Sequence, residues 1–261
     1  MADEATVTLP SGCQITLRPL RLSEESILGK GGAGRQVVQK MVEACTVRVD
    51  DPGHYPSPSW DTMLMGDQMA ALLELRCISY PSGHLYTVQG VRCPACRQAS
   101  GYEIDLKADL YRRDLDEVGA EHLTTGAPLT TTIDGHTVSF VLPTPETERL
   151  RERNDKQHPG RPGNRLRARI KAVEGIAPHD ILAWLDGGDP KAPYPGLTMG
   201  DVDLLETAMD AHDCGYDLDM ELTCPRGDCG HTFTIALPFL GSFNRPALAA
   251  ARAARRASSG D

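Results

Sequence analysis

The sequence has no long apolar segment, few aromatic side chains and less positive than negative charge. No apolar run approaches the roughly 20 residues that a membrane-spanning helix needs, so we expect no membrane span. Residues 1–4 include two acidic side chains, and no apolar stretch typical of a secretory signal follows them. These features predict a protein that is made and kept in a cytoplasm.

Acidic side chains outnumber basic ones: 36 Asp and Glu residues stand against 27 Lys and Arg residues, a net charge of −9 at pH 7. Proteins that coat nucleic acids need basic side chains to neutralise phosphates, so this balance disfavours that class. The 4 Phe, 7 Tyr and 2 Trp residues are too few to predict an aromatic platform for stacked bases. Hydrophobic residues make up 40% of the 261 residues, which is enough to form a buried core.

Hydrophobic periodicity predicts an α+β fold with a helical N-terminal part and β-hairpins. The predicted organisation is an N-terminal arm and helical region at 1–84, an α+β region at 85–243 and an Ala- and Arg-rich tail at 244–261. Helical spacing predicts helices over 35–46, 60–78, 165–175, 178–185 and 201–212. Alternation predicts hairpins over 85–107, 130–142 and 216–237 and a small hairpin or extended arm over 7–18. The glycines over 29–34 predict a flexible connector.

Four of the eight cysteines form two closely spaced pairs. Two residues separate Cys93 from Cys96, and four residues separate Cys224 from Cys229. Each pair lies in the turn of a predicted hairpin, so the arrangement of strand, cysteine pair and strand occurs twice. In a reducing compartment, cysteines with this spacing bind metal more often than they form disulfides.

Structural zinc takes four ligands at the corners of a tetrahedron, and thiolates satisfy it with Zn–S distances of about 2.3 Å. We therefore predict zinc ligands at Cys93, Cys96, Cys224 and Cys229, with Gly227 allowing the wider turn to bend. These ligands would join the hairpins over 85–107 and 216–237 as a split zinc ribbon. Closing the long loop between the pairs costs about 4 kcal/mol of chain entropy. A structural zinc site contributes about 10–16 kcal/mol in small peptides, so metal can hold the two segments together. The alternatives are unmetallated thiol pairs or a disulfide between them.

His231 follows Cys229 by two residues and is an alternative ligand, although four thiolates already complete the site. A closed set of four cysteines leaves no open position for a substrate, so we expect a structural metal. The other cysteines are interpreted as small buried side chains: Cys13, Cys45, Cys77 and Cys214. The sequence contains none of the common hydrolase, metalloprotease or nucleotide-binding motifs, and we expect no catalytic activity.

Several short motifs follow one another in a recognisable order: Leu9-Pro10-Ser11-Gly12, Ile15-Thr16-Leu17-Arg18-Pro19-Leu20, Leu75-Arg76-Cys77-Ile78-Ser79-Tyr80, Cys93-Pro94-Ala95-Cys96, Phe140-Val141-Leu142-Pro143-Thr144, and Cys224 and Cys229 leading into 233–239. This order resembles the baseplate hub and hub-assembly proteins of T-even-like contractile-tailed phages and related contractile injection systems. The resemblance implies a non-enzymatic part or helper in building the tail baseplate, active in the bacterial cytoplasm during particle assembly. It also implies hub, tube, spike or tape-measure proteins as partners, a place in the virion tail for some members, and metal binding by the paired cysteines.

Two other functions stay open on the sequence. A zinc-ribbon module that binds nucleic acid or the transcription machinery is the first, and the net charge of −9 counts against it. Only residues 149–169 and the tail offer basic patches for such binding. An enzyme without a recognisable motif is the second.

Overall fold

The computed structural model describes residues 4–24, 35–187 and 194–237 of the chain. These residues form an α+β fold, which confirms the predicted class. The predicted connector over 29–34 and the predicted tail over 244–261 lie outside the described residues. In the described ranges, no helix has both the length and the apolar character that crossing a bilayer requires.

Helices and strands are interspersed along the described chain. The helices are α1 (Arg35–Cys45), α2 (Met65–Ser79), α3 (Glu117–Thr125), α4 (Pro145–Gln157), α5 (Asn164–Arg169), α6 (Ile181–Asp186) and α7 (Met199–Ala211). The strands are β1 (Ala5–Thr8), β2 (Gln14–Leu17), β3 (Thr46–Asp51), β4 (Leu85–Arg92), β5 (Ala99–Asp105), β6 (Arg112–Arg113), β7 (Leu129–Ile133), β8 (His136–Phe140), β9 (Ile170–Val173), β10 (Gly215–Tyr216), β11 (Asp219–Thr223) and β12 (Thr232–Ala236).

The strands form several small antiparallel sheets. Two sheets have three strands each, in the orders β1-β2-β3 and β7-β8-β9. The pairs β4-β5, β6-β10 and β11-β12 form two-stranded sheets. Antiparallel pairs this short are marginal in water by themselves, so each of them depends on packing against other elements.

Helix α2 lies at the centre of the core, with its Leu72 and Leu75 side chains buried. Ile15 of β2 and Met41 of α1 belong to the same buried cluster, which continues as far as Leu237 after β12. The start of α2 approaches the backbone before β10 so closely that a Cβ on Gly66 would lie 1.8 Å from the Cys214 carbonyl oxygen. The first and last described parts of the chain therefore share one core.

A buried carboxylate joins three segments at the start of α2. The backbone amide of Ser11 donates to Asp67 Oδ1 at 3.0 Å, and the Tyr55 hydroxyl donates to Asp67 Oδ2 at 2.6 Å. The same Tyr55 oxygen accepts a hydrogen bond from the Leu64 amide at 2.9 Å. Burial raises the pKa of Asp67, and these donors act in the opposite direction. The network holds the N-terminal hairpin and the 52–64 loop against α2.

This network explains why α2 begins at Met65 and not at 60, as helical spacing predicted. The Met63 amide donates to the Ser59 carbonyl at 2.8 Å, and the Gln68 side chain donates to the Trp60 carbonyl at 2.8 Å. Residues 60–63 therefore form a turn before the helix. The apolar residues over 60–63 are buried in the core. Their spacing therefore resembles that of a helix and does not reveal that the backbone forms a turn.

The prediction of a helix over 165–175 is wrong in its second half. The chain is helical only in α5 and then forms β9, whose Ile170 and Val173 pair with Phe140 and Val138 of β8. Apolar residues three apart fit a helix and a short buried segment equally well, but both residues are β-branched and favour a strand. The next predicted helix, over 178–185, is α6 and begins at Ile181.

The first strand of the hairpin predicted over 216–237 is interrupted after Tyr216. Strand β10 pairs with β6, whereas β11 pairs with β12. Between them, the Asp217 amide donates to the Tyr111 carbonyl at 2.9 Å, and the Leu218 carbonyl accepts from the Leu237 amide at 2.8 Å. This switch of partners attaches the base of the second cysteine hairpin to the rest of the fold.

The hairpin predicted over 130–142 is confirmed as β7 and β8. Its turn residues have positive φ angles, 50° at Asp134 and 76° at Gly135. This conformation is the one that favours Asp-Gly in two-residue hairpin turns.

Removing the Tyr55 hydroxyl should destabilise the fold. In Tyr55→Phe, Asp67 loses a donor and the Leu64 amide loses its acceptor, both in the core. We expect the free energy of unfolding to fall by about 1–3 kcal/mol, measured by denaturant titration. The control Tyr111→Phe, at a tyrosine that is 72% exposed, should change it by less than about 0.5 kcal/mol. Equal effects of the two substitutions would contradict the role of the network.

Candidate metal centre

The first cysteine pair lies in the turn between β4 and β5. The Cys93 amide donates to the Gln98 carbonyl at 3.0 Å, and the Arg97 amide donates to the Cys93 carbonyl at 2.8 Å. Arg97 has a φ angle of 60°, in the left-handed region that side chains other than glycine rarely adopt. This tight turn places the Cys93 and Cys96 side chains on the same side of the hairpin tip.

The second pair lies in the wider turn between β11 and β12. The Cys224 amide donates to the His231 carbonyl at 2.9 Å, and the amides of Cys229 and Gly230 both donate to the Arg226 carbonyl, at 3.0 and 3.1 Å. In this turn the backbone adopts the left-handed conformation at Gly230, which has a φ angle of 55°. The bend therefore depends on Gly230, whereas the sequence had pointed to Gly227.

The two turns bring all four predicted ligands together. The Cys93 and Cys229 sulfurs lie 3.9 Å apart, those of Cys96 and Cys224 lie 3.8 Å apart, and all four lie within 4.8 Å of one another. A tetrahedron with Zn–S bonds of about 2.3 Å has sulfur–sulfur edges of about 3.8 Å. A disulfide bond is only about 2.05 Å long. The observed spacing therefore matches a metal-binding cluster, and it does not match two disulfides.

Backbone amides donate hydrogen bonds to sulfurs in both turns. Donation from the Cys96 amide lowers the pKa of Cys93 to about 7, which favours its thiolate form. The Arg226 amide acts in the same direction on Cys224, but burial and the neighbouring cysteine sulfurs outweigh it and raise the pKa to about 11. The cluster therefore favours one thiolate and opposes further ones. A cation at the centre of the four sulfurs relieves this repulsion.

The centre is half shielded from solvent. The Cys93 and Cys224 residues are 1% and 3% exposed, whereas Cys96 and Cys229 are half-buried. On the open side, the Arg226 guanidinium pairs with the Asp228 carboxylate at 2.7 Å, and both side chains are exposed. Arg226 also interacts electrostatically with the Cys96 and Cys224 sulfurs, so it places positive charge beside them.

His231 is not part of the cluster. Its ring stacks on that of Phe233 at a centroid distance of 6.3 Å, and the candidate metal group in the described residues contains cysteines alone. The remaining cysteines lie elsewhere, buried or half-buried: Cys13, Cys45, Cys77 and Cys214. Burial raises the pKa of Cys13 to about 12 and that of Cys77 to about 11, which disfavours the thiolate form that binds metal.

Sequence reasoning missed the contact between the two hairpins beside the cysteines. The rings of Tyr102 on β5 and Phe233 on β12 meet edge to face, with centroids 6.4 Å apart and an interplanar angle of 82°. Alternation along each strand places these side chains on an apolar face, but it does not say which strand lies opposite. The contact becomes visible only once the cysteine pairs are brought together.

Losing one ligand should abolish metal binding. Cys93→Ser and Cys224→Ser each remove one corner of the same tetrahedron, so each should reduce bound metal from about one ion per chain to nearly none, as measured by elemental analysis of purified protein. Cys77→Ser is the control and should retain the metal, because its sulfur lies outside the cluster. Full metal content in either ligand variant would show that the cluster does not share one ion.

The two glycines of the second turn should respond differently to alanine. Gly230→Ala forces a side chain into the left-handed region, and we expect a loss of about 1–2 kcal/mol in the free energy of unfolding. Gly227→Ala is the matched control. Its backbone is not left-handed and no atom lies within 4 Å of the added Cβ, so the change should stay below about 0.5 kcal/mol. The reverse order of the two effects would contradict the turn geometry.

Comparison with known proteins yields no relative for this chain. No family model matches it, and no curated protein or solved structure is similar to it. The site's own geometry and chemistry therefore carry the functional argument.

Proposed function

We propose that the four cysteines bind one structural zinc ion in a non-enzymatic protein that assembles the baseplate of a contractile phage tail or a contractile injection system. The proposed metal site rests on the four-sulfur cluster. It brings together Cys96 with Cys224 and Cys93 with Cys229, which are 128 and 136 positions apart in the sequence. The assembly part depends on the motif order that resembles baseplate hub and hub-assembly proteins.

Zinc is the metal that the donor set favours. The group consists of thiolates alone, spaced for a tetrahedron, and zinc in structural sites takes this geometry with four cysteines. Oxygen-preferring ions such as magnesium and calcium are disfavoured because no carboxylate belongs to the group. Zinc bound in this way has no open position for a substrate, which fits a role in holding the two hairpins together.

The role in assembly accounts for the chain's charge and for the place of the metal. With a net charge of −9, partners that are proteins are favoured over nucleic acid. The metal fastens the tip of the β11-β12 hairpin, whose base is attached through β10, so the hairpin becomes a rigid part of the surface. Rigid surfaces are what binding partners in a large assembly need, because little freedom is then lost on association. We infer action in the bacterial cytoplasm during particle assembly.

Affinity purification of the tagged full-length chain from its native cells during particle production tests this function. We expect mass spectrometry to recover hub, tube, spike or tape-measure proteins with the wild-type chain and with the Cys77→Ser control. The Cys93→Ser variant should lose these partners together with its metal, because the hairpin is then released at its tip.

Recovery of polymerase subunits or nucleic acid without any tail protein would overturn the assembly role in favour of a nucleic-acid or transcription module. Such binding would also weaken steeply with salt, because phosphate contacts release counterions. If elemental analysis finds about one iron and no zinc in protein purified from the native cells, the metal assignment is wrong although the four-cysteine site stands.

A further inference from the structure

The four cysteines of the candidate metal centre differ in their access to solvent. Cys93 and Cys224 are 1% and 3% exposed, whereas Cys96 and Cys229 are half-buried. Each turn therefore has an inner cysteine, Cys93 or Cys224, and an outer cysteine, Cys96 or Cys229. The oxidation of a cysteine follows its exposure and its thiolate character, so a small oxidant in solution reaches the outer sulfurs first.

The sulfur contacts run from one turn to the other, and each of them joins an outer cysteine to an inner one. The outer Cys229 sulfur lies 3.9 Å from the inner Cys93 sulfur, and the outer Cys96 sulfur lies 3.8 Å from the inner Cys224 sulfur. The sulfurs of each pair must approach each other by about 1.8 Å before they can form a disulfide. An exposed cysteine beside a second cysteine that can attack it is the usual arrangement of a redox-sensitive pair.

Contacts that involve no sulfur also keep the two hairpins in place. The rings of Tyr102 on β5 and Phe233 on β12 meet edge to face, with centroids 6.4 Å apart. At the base of the second hairpin, the Leu237 amide donates to the Leu218 carbonyl at 2.8 Å. These contacts do not depend on a metal ion, so they hold the outer and inner cysteines close together when the sulfurs change partners.

We propose that the metal centre is a site of reversible oxidation, at which a peroxide replaces the bound ion by two disulfides, Cys93–Cys229 and Cys96–Cys224. The inference rests on the proposed metal site and adds a second, oxidised state to it. Both disulfides run between the turns, so the two hairpins stay joined at their tips in either state. Disulfides inside each turn would instead release one tip from the other.

The first steps of this chemistry use the thiolates of the chain and the peroxide alone. A metal-bound cysteine is deprotonated, so each outer sulfur is a nucleophile. It attacks one oxygen of hydrogen peroxide, the O–O bond breaks, and the sulfur becomes a sulfenic acid. The hydroxide that leaves takes up a proton from solvent. The inner thiolate then attacks the oxidised sulfur, the S–S bond forms and the S–O bond breaks, with loss of a second hydroxide that also becomes water.

This sequence removes the charge that holds the ion. Each pair of sulfurs is oxidised to a disulfide, and one peroxide is reduced to two molecules of water. The thiolate is the form of cysteine that binds metal, and a disulfide sulfur carries no charge. The ion is therefore released once both pairs have reacted. In a reducing compartment disulfides are usually transient, so thiol reductants return the sulfurs to their metal-binding form.

The test treats metal-loaded wild-type protein with excess hydrogen peroxide. A chromophoric zinc indicator should report the release of about one ion per chain. Mass spectrometry of peptides digested without reduction should find Cys93 linked to Cys229 and Cys96 linked to Cys224. Dithiothreitol followed by zinc should restore the metal content. The control Cys77→Ser changes a half-buried cysteine outside the cluster and should give the same release and the same two links.

Cys229→His separates the two disulfides. Histidine can replace one cysteine as a ligand of structural zinc, so this variant keeps four possible ligands but lacks the outer sulfur that pairs with Cys93. After peroxide treatment we expect the link between Cys96 and Cys224, whereas Cys93 should still react with an alkylating reagent. If this variant binds no metal, the peptide map of the wild-type protein decides the proposal.

Two results with the wild-type protein would overturn the proposal. The first is full retention of zinc in excess peroxide. The second is a different oxidation product: Cys93 linked to Cys96 and Cys224 linked to Cys229, or sulfinic and sulfonic acids without disulfides.

The outcomes also distinguish this inference from the metal site on which it rests. If wild-type protein carries zinc at its four cysteines and peroxide links the cysteines inside each turn, only this inference fails. If wild-type protein binds no metal at its four cysteines, the metal centre fails and the exchange of metal for disulfides fails with it.

Discussion

The meeting of four cysteine sulfurs within 4.8 Å is the constraint on which the arrangement of the two hairpins depends. Thiols at this distance resist joint ionisation, because each thiolate disfavours a second negative charge beside it. The cluster is therefore poorly stable as four free thiolates and well suited to a divalent ion. Each local turn sets the position of its own cysteine pair. The stability of the whole cluster depends on interactions that join the two pairs.

The β11-β12 hairpin is attached to the protein at both ends. At its base, Leu237 bonds to Leu218, and the adjacent β10 pairs with β6. At its tip lie the cysteines and the contact between Phe233 and Tyr102. An isolated two-stranded hairpin is marginal in water, so these two attachments supply what the strand pair lacks. The buried network around Asp67 plays the corresponding part for the N-terminal hairpin.

Sequence reasoning identified the α+β class and all four cysteines of the candidate site. It succeeded because two cysteine pairs in hairpin turns are a local pattern with one common chemical use. It failed where tertiary contacts decided the outcome. Strand β9 forms because β8 offers it an edge, and α2 starts late because Tyr55 and Ser59 bond the preceding turn. The contact between Tyr102 and Phe233 was missed because alternation shows which side chains share a face of a strand. It does not show which other strand packs against that face.

The separation of the two cysteine pairs along the chain has a consequence for biosynthesis. The ribosome completes Cys93 and Cys96 first, and Cys224 lies 128 positions after Cys96. At about 5–20 residues per second, the first pair waits on the order of 10 s for the second. During this interval only half of the candidate site exists, because two of its four sulfurs have not yet been synthesised. The four-sulfur cluster therefore cannot form until the helices and sheets between the two pairs have been translated.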